Sequence, residues 1–312
     1  MRQTRLFAIA IAALCMLLLL PMAGAMSIQL DPMIKSSSVS VLSANDNYPI
    51  SIDQAKNSVR LFMNNLTLDP QLVGTGSLEI GNYYTLEAGL DTFKVNQNSG
   101  VVEFVNFGGN APTSDKLTLT RDQAYAKATD YAAKKYDGYS GKTWKLIIDT
   151  VSDDGYWRYN ETSKDYEYTS VKAYDFFLRE EKEHVLLPNL IHLRINGVTG
   201  AVVDYWGVDR LVTAGLKNTV SLSEATETAE SYLGHSDQFT LTGSEGYLAV
   251  VTRYQNVENL AWVIKLKGYY TWDKDEQVYP IIVDATDGSL LGTGWSSIWP
   301  ESRLSNGYYN YY

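Results

Sequence analysis

Val283 to Gly292 reads VDATDGSLLG. An apolar run leads into a carboxylate, a polar turn follows, and a second apolar run leaves. Gly288 stands where a tight hairpin turn needs positive φ. The same outline occurs twice more, as VNQNSGVVEF from Val95 and INGVTGAVVD from Ile195. Gly100, Gly200 and Gly288 follow Ser99, Thr199 and Asp287. Asn96, Asn196 and Asp284 stand where a side-chain oxygen can accept from the backbone two residues on, as in an Asx turn.

Upstream of each turn lies a helix start. ISIDQA begins at Ile50, LTRDQA at Leu119 and VSLSEA at Val220. Ser51, Thr120 and Ser221 are each followed three residues later by Gln54, Gln123 or Glu224, which is the capping-box spacing. Ile50, Leu119 and Val220 precede the caps, in hydrophobic-staple position. Ala55, Ala124 and Ala225, then Val59, Ala128 and Ala229, then Phe62, Tyr131 and Tyr232 continue one apolar stripe at helical spacing. After each helix the pattern turns to period-2 alternation, which reads as strands. The caps are 69 and then 101 residues apart, too irregular for a solenoid. The expectation is α+β: three tandem repeats, each a short helix packed on an antiparallel β-sheet. Their spans are 46–112, the most degraded, 113–212 with a hairpin insertion, and 213–312 with an aromatic tail.

The chain begins with Arg2 and Arg5, an apolar run from Leu6 to Leu20, then Pro21 and Ala23-Gly24-Ala25. That is the pattern of a secretory signal peptide over 1–25, with 26–45 as linker. The alternative is an uncleaved N-terminal anchor, but the run is shorter than the roughly 20 residues of a spanning helix. The single cysteine, Cys15, lies in the leader, so the mature chain would hold no disulfide and rely on its core. Losing the two leader arginines takes the formal charge from −10 to −12. That argues against nucleic acid or an anionic membrane as partner.

Candidate chemistry is sparse. Asp273, Asp275, Asp284 and Asp287 could gather around a cation such as Ca²⁺, but the first two turns carry Asn, Ser and Thr in the equivalent places. His184, His192 and His235 are the only histidines. His184 and His192 read as surface residues flanking a hairpin, with Pro188 interrupting the run; a metal there would need Glu181 or Glu183 as well. Asp153-Asp154, Glu180-Glu181 and Asp273/Asp275 could be posed as acid and base, yet in DDG and DKDE turns they read as solvated loops. Tyr156, Trp157, Tyr159, Tyr166 and Tyr168 cluster in the insertion, where alternate strand aromatics either pack on the sheet and pair across it or, if exposed, anchor an interface. Tyr269, Tyr270 and Trp272 recur later, and Trp295, Trp299, Tyr308, Tyr309, Tyr311 and Tyr312 crowd the tail, which is expected to pack back on the third repeat. Asn65-Leu66-Thr67 and Asn160-Glu161-Thr162 are N-glycosylation sequons.

VSLSEATETAESYL, LAWVIKLKG and YPIIVDATDGSLLG together resemble a PepSY-like domain. YDFFLREEKEHVLLPNLIHLRINGVTGAVVDY resembles the longer variant of the YcdB/YcdC-type repeats. The resemblance implies a small α+β domain of the kind found in propeptides of secreted thermolysin-type peptidases and in exported tandem modules, and it brings no catalytic residue with it. The chain holds no HExxH helix, no GxSxG elbow and no second cysteine, so restraint of a peptidase would have to act in trans. The expected function is a secreted, non-enzymatic binding protein without cofactor, whose partner is another exported protein, a peptidase among the candidates. The alternatives are a structural or cell-surface envelope component and, third, a carboxylate-dependent secreted hydrolase. The expected contact surfaces are antiparallel edge strands and the 151–170 hairpin.

Overall fold

The computed structural model describes residues 49–78, 81–153, 156–160, 162–233, 239–253, 257–272 and 275–293. Residues 1–48, which include the expected leader (1–25) and linker (26–45), Asp273, His235 and the aromatic tail lie outside the described residues. The described chain contains helices α1 (Ile52–Phe62), α2 (Arg121–Lys135) and α3 (Leu222–Leu233). Strands β1 (Gln71–Leu78), β2 (Gly81–Ala88), β3 (Asp91–Asn96) and β4 (Val102–Phe107) follow α1. Strands β5 (Trp144–Asp153), β6 (Tyr156–Asn160), β7 (Asp165–Thr169), β8 (Lys172–Lys182), β9 (Val185–Asn196) and β10 (Val202–Val208) follow α2. Strands β11 (Phe239–Arg253), β12 (Val257–Tyr270), β13 (Gln277–Asp284) and β14 (Leu290–Thr293) follow α3.

β1 to β4 form an antiparallel meander. β4 then pairs with β10, setting Phe104, Val105 and Asn106 opposite Trp206, Tyr205 and Asp204. β10 pairs with β9, β9 with β8, and β8 with β5, all antiparallel. Beyond Leu190, the last β9 residue matched to β10, Leu186 meets Ala249 of β11 in parallel. β11 to β14 complete a second meander. The outcome is one mixed sheet of 12 strands. This overturns the expectation of three tandem repeats, each a helix on its own antiparallel sheet. A separate sheet ending at β4 would expose a row of backbone donors and acceptors. β4 and β10 close those rows on each other.

The cores follow the same joining. Ala55 and Val59 of α1 and Ala124, Ala128 and Ala132 of α2 share one buried cluster with Phe93, Val105, Phe176, Leu193 and Tyr205. The alanines bring both helix backbones close to the sheet. Each fully buried phenylalanine contributes about 1.5–3 kcal/mol from removal of apolar surface. Ala225 and Ala229 of α3 pack separately on Ile264, Leu266, Ile281 and Val283. Strand alternation sends Phe104, Phe177, Leu190 and Trp206 into a further cluster on the face away from α1 and α2.

Two local features depart from the sequence reading. β9 runs through Pro188 without a break. The register slips there, Arg179 facing Leu190 and Glu181 facing Leu186, so the proline sits in a bulge where no ladder donor is needed. Glu183 and His184 form the β8–β9 turn, both with positive φ (53° and 66°) and no glycine. That backbone fits the primed two-residue hairpin turn.

Candidate functional site

The repeated turn is a docking device for the helix that precedes it. Asn96 Oδ1 accepts from the amides of Asn98 and Ser99 at 2.9 and 3.1 Å. Asn196 Oδ1 does the same for Val198 and Thr199 at 3.0 and 3.1 Å. Asp284 Oδ1 accepts from the amide of Thr286 at 2.7 Å. The Gly100, Gly200 and Gly288 amides bond back to the carbonyls of Asn96, Asn196 and Asp284, and their φ values are 73°, 72° and 76°. Ile50, Leu119 and Val220 donate their amides to the carbonyls of Gln97, Gly197 and Ala285, one residue past each Asx position. Each helix entry is thus tied to its own turn. The capping boxes close at Ser51/Gln54, Thr120/Gln123 and Ser221/Glu224.

The acidic candidates are drawn into this framework. Asp284 also accepts from Asn259 at 3.2 Å, and Asp287 Oδ1 accepts from the Ser289 amide at 2.8 Å. Hydrogen bonds from the Ser289 side chain and then its amide hold the Asp287 carboxyl below its usual value. The described residues contain no group of three or more metal-ligating side chains, and Asp275 is exposed. Glu180 is clasped by Lys142 at 2.9 Å and by Asn189 at 2.9 Å. Glu181 lies 3.6 Å from Lys145.

His192, expected at the surface, is 1% exposed and bonds Asp175 at 3.0 Å. Arg194 and Asn106 meet Asp204 beside it, at 3.5 and 2.6 Å. Glu103, also 1% exposed, receives Arg210 and the Tyr83 hydroxyl, the latter at 2.6 Å. Burial, then the Glu103 charge, pushes Tyr83 far above the usual tyrosine value. Sequence reasoning missed these groups because their partners lie 10 to 107 residues apart, with no local motif.

The aromatic insertion forms a sheet of its own. β6 and β7 pair only with each other. The register sets Trp157 opposite Tyr168, Tyr159 opposite Tyr166, and Tyr156 opposite Thr169. Positions 157, 159, 166 and 168 therefore share one face of the ribbon. Tyr166 is 62% exposed and Tyr168 48%. Asp153, at the end of β5, accepts from Ser170 at 2.8 Å and so holds the base of the ribbon. A second aromatic group lies at the far end of β12. There Tyr270 stacks on Trp272, centroids 4.4 Å apart, and meets Phe239 and Tyr279 edge-on.

No family model matches the chain, and no curated protein matches it. Among solved structures, the Bacillus megaterium YpeB C-terminal domain is similar at 17% sequence identity, over 79% of this chain and 98% of that one, with a TM-score of 0.41. That is a weak likeness in outline, and it carries no argument about what the chain does.

Proposed function

We propose that the protein is an exported, non-enzymatic binding protein that holds another exported protein through the β6–β7 ribbon. The observation that carries this reading is the ribbon itself. A two-stranded ribbon is marginal in water on its own, yet this one forms a sheet apart from the main one, with Tyr166 and Tyr168 exposed. Rigid tyrosines of this kind give large contact area at little entropic cost. The carboxylates posed as acid and base include Glu180 and Glu181, which are engaged by lysines, and this supports binding over hydrolysis. The PepSY-like motifs make a secreted peptidase the first partner to test.

The experiment is capture from the host's secreted fraction by residues 26–312, beside a Tyr166→Ser/Tyr168→Ser variant of unchanged circular dichroism. The expected result is one peptidase held stoichiometrically by the parent chain, released by the variant, and less active when bound. Equal retention by both chains sinks the ribbon as the contact surface. A retained partner without peptidase activity removes the peptidase link and leaves binding. Retention of the chain on the cell envelope, with no protein partner, replaces the reading with a structural role.

A further inference from the structure

Between the end of α1, one side of α2 and the start of β10 lies a cavity of about 430 Å³. Met63, Phe107 and Val202 give it apolar walls, and Lys127, Lys134, Lys135 and the Asp130 carboxylate line it as well. Three ammonium groups around one cavity run against the chain's formal charge of −10. Lys134 is neutralised by Asp130 at 2.6 Å. Among the described residues, neither Lys127 nor Lys135 has a carboxylate within ion-pair distance. Lys135 is half-buried, donates to the Phe62 carbonyl and lies over the Phe62 ring. Burial holds its ammonium below the usual lysine value, the mark of a cation short of compensation.

The other two helix–turn units act as internal controls. Seven residues after each cap stand Ser58, Lys127 and Thr228. Only at Lys127 does a long side chain lie across the turn glycine. A Cβ on Gly200 would stand 2.5 Å from the Lys127 Cδ and Cε, whereas Gly100 faces Ile50 and Ser58, and Gly288 faces Val220. α2 is also longer, 15 residues against 11 and 12, and the added turn supplies Lys134 and Lys135. The cavity therefore coincides with the places where α2 differs from its two counterparts.

We infer that this cavity binds a carboxylate carried on an apolar body, drawn by the Lys127 and Lys135 ammonium groups, with the apolar part against Met63, Phe107 and Val202. Such a group could be a small organic acid or the C-terminal residue of a protein chain. The site lies apart from the β6–β7 ribbon and does not depend on it.

The test uses the mature chain, phenylacetate and its neutral amide phenylacetamide, followed by amide NMR shifts. Phenylacetate should give saturable shifts at the last turn of α2 and at Gly200, with phenylacetamide at least about tenfold weaker, as expected for loss of a charged hydrogen bond. Lys127→Gln and Lys135→Gln should each weaken phenylacetate by about tenfold. Lys127 is exposed, so its variant remains informative even if Lys135→Gln, which loses the Phe62 bond, fails to fold. Gly-Gly-Phe held tighter than phenylacetate assigns the site to a chain terminus; the reverse order assigns it to a small acid. Equal binding of phenylacetate and its amide, unchanged binding in Lys127→Gln, or no saturable shift with any probe overturns the inference.

Discussion

Arg210 closes on Glu103 with two bonds, Nη1 to Oε1 at 2.5 Å and Nη2 to Oε2 at 2.8 Å, across 107 residues of chain. Glu103 belongs to β4, and Arg210 follows β10. The Arg210 amide also bonds Asn189, which bonds Glu180, which pairs with Lys142. One polar chain thus links β4, through the segment after β10, to β9, β8 and the residue Lys142 ahead of β5.

Removing Arg210 strands the Glu103 carboxylate in the interior. Arg210→Met should cost about 3–5 kcal/mol in urea unfolding. Replacing both, Glu103→Leu with Arg210→Leu, should cost less than Arg210→Met alone, because no buried charge is left. A double variant worse than the single would show that the pair stabilises beyond its own desolvation.

Arg179 performs a similar service where β9 meets β11. It is fully buried and donates to the carbonyls of Leu187 at 2.9 Å, Leu186 at 3.2 Å and Val250 at 3.5 Å. Arg179→Met should lower stability by about 1.5–3 kcal/mol. Hydrogen exchange should speed up at Ala249 and Val250 before it does in β3. Uniform loss of protection throughout the sheet would argue against a seam role.

The turn glycines separate two costs. At Gly100 and Gly288 an added Cβ meets only ordinary contacts, 3.5 Å to Ile50 and 3.7 Å to Val220. Alanine there should cost the left-handed backbone term alone, about 1–2 kcal/mol. Gly200→Ala should cost more, because Lys127 must also move aside. Equal thermal shifts for all three variants would count against the Lys127 placement.

Glu224 should make α3 acid-sensitive in a way α1 and α2 are not. Its carboxylate accepts from the Ser221 amide and hydroxyl, both at 2.7 Å, and these bonds hold its value below the usual 4.5. The folded value lies under the unfolded one. The contribution of the cap is therefore complete above the usual glutamate value and is lost as pH falls through the lowered one. Carboxyl NMR titration should show the low value, and Ser221→Ala should raise it. Gln54 and Gln123 carry no charge at the matching positions, so their caps should hold through the same range. A normal titration of Glu224 would refute the assignment.

What could be read from the sequence was whatever is encoded within about ten residues. The caps at Ser51, Thr120 and Ser221, the stripe through Ala128 and Ala229, and the Asx turns before Gly100, Gly200 and Gly288 all lie in that class. The 12-stranded sheet does not, because Val105 meets Tyr205 by register alone and nothing near either residue announces the other. His192 was misplaced for the same reason: Asp175, which allows its burial, stands on the neighbouring strand. Lys127 was passed over because a lysine on a helix is unremarkable until a glycine turn and two more lysines are found beside it.

The pairing of β4 with β10 also sets an order of events during synthesis. Asn106 leaves the ribosome 98 residues ahead of Asp204, the residue it will bond. Until then the β4 edge of the first meander is unpaired. Contacts so distant in sequence form slowly, and an open strand edge invites pairing with the wrong chain. A nascent chain stalled before Val202 would be the species most prone to aggregate, and completion of β10 is the step that retires that hazard.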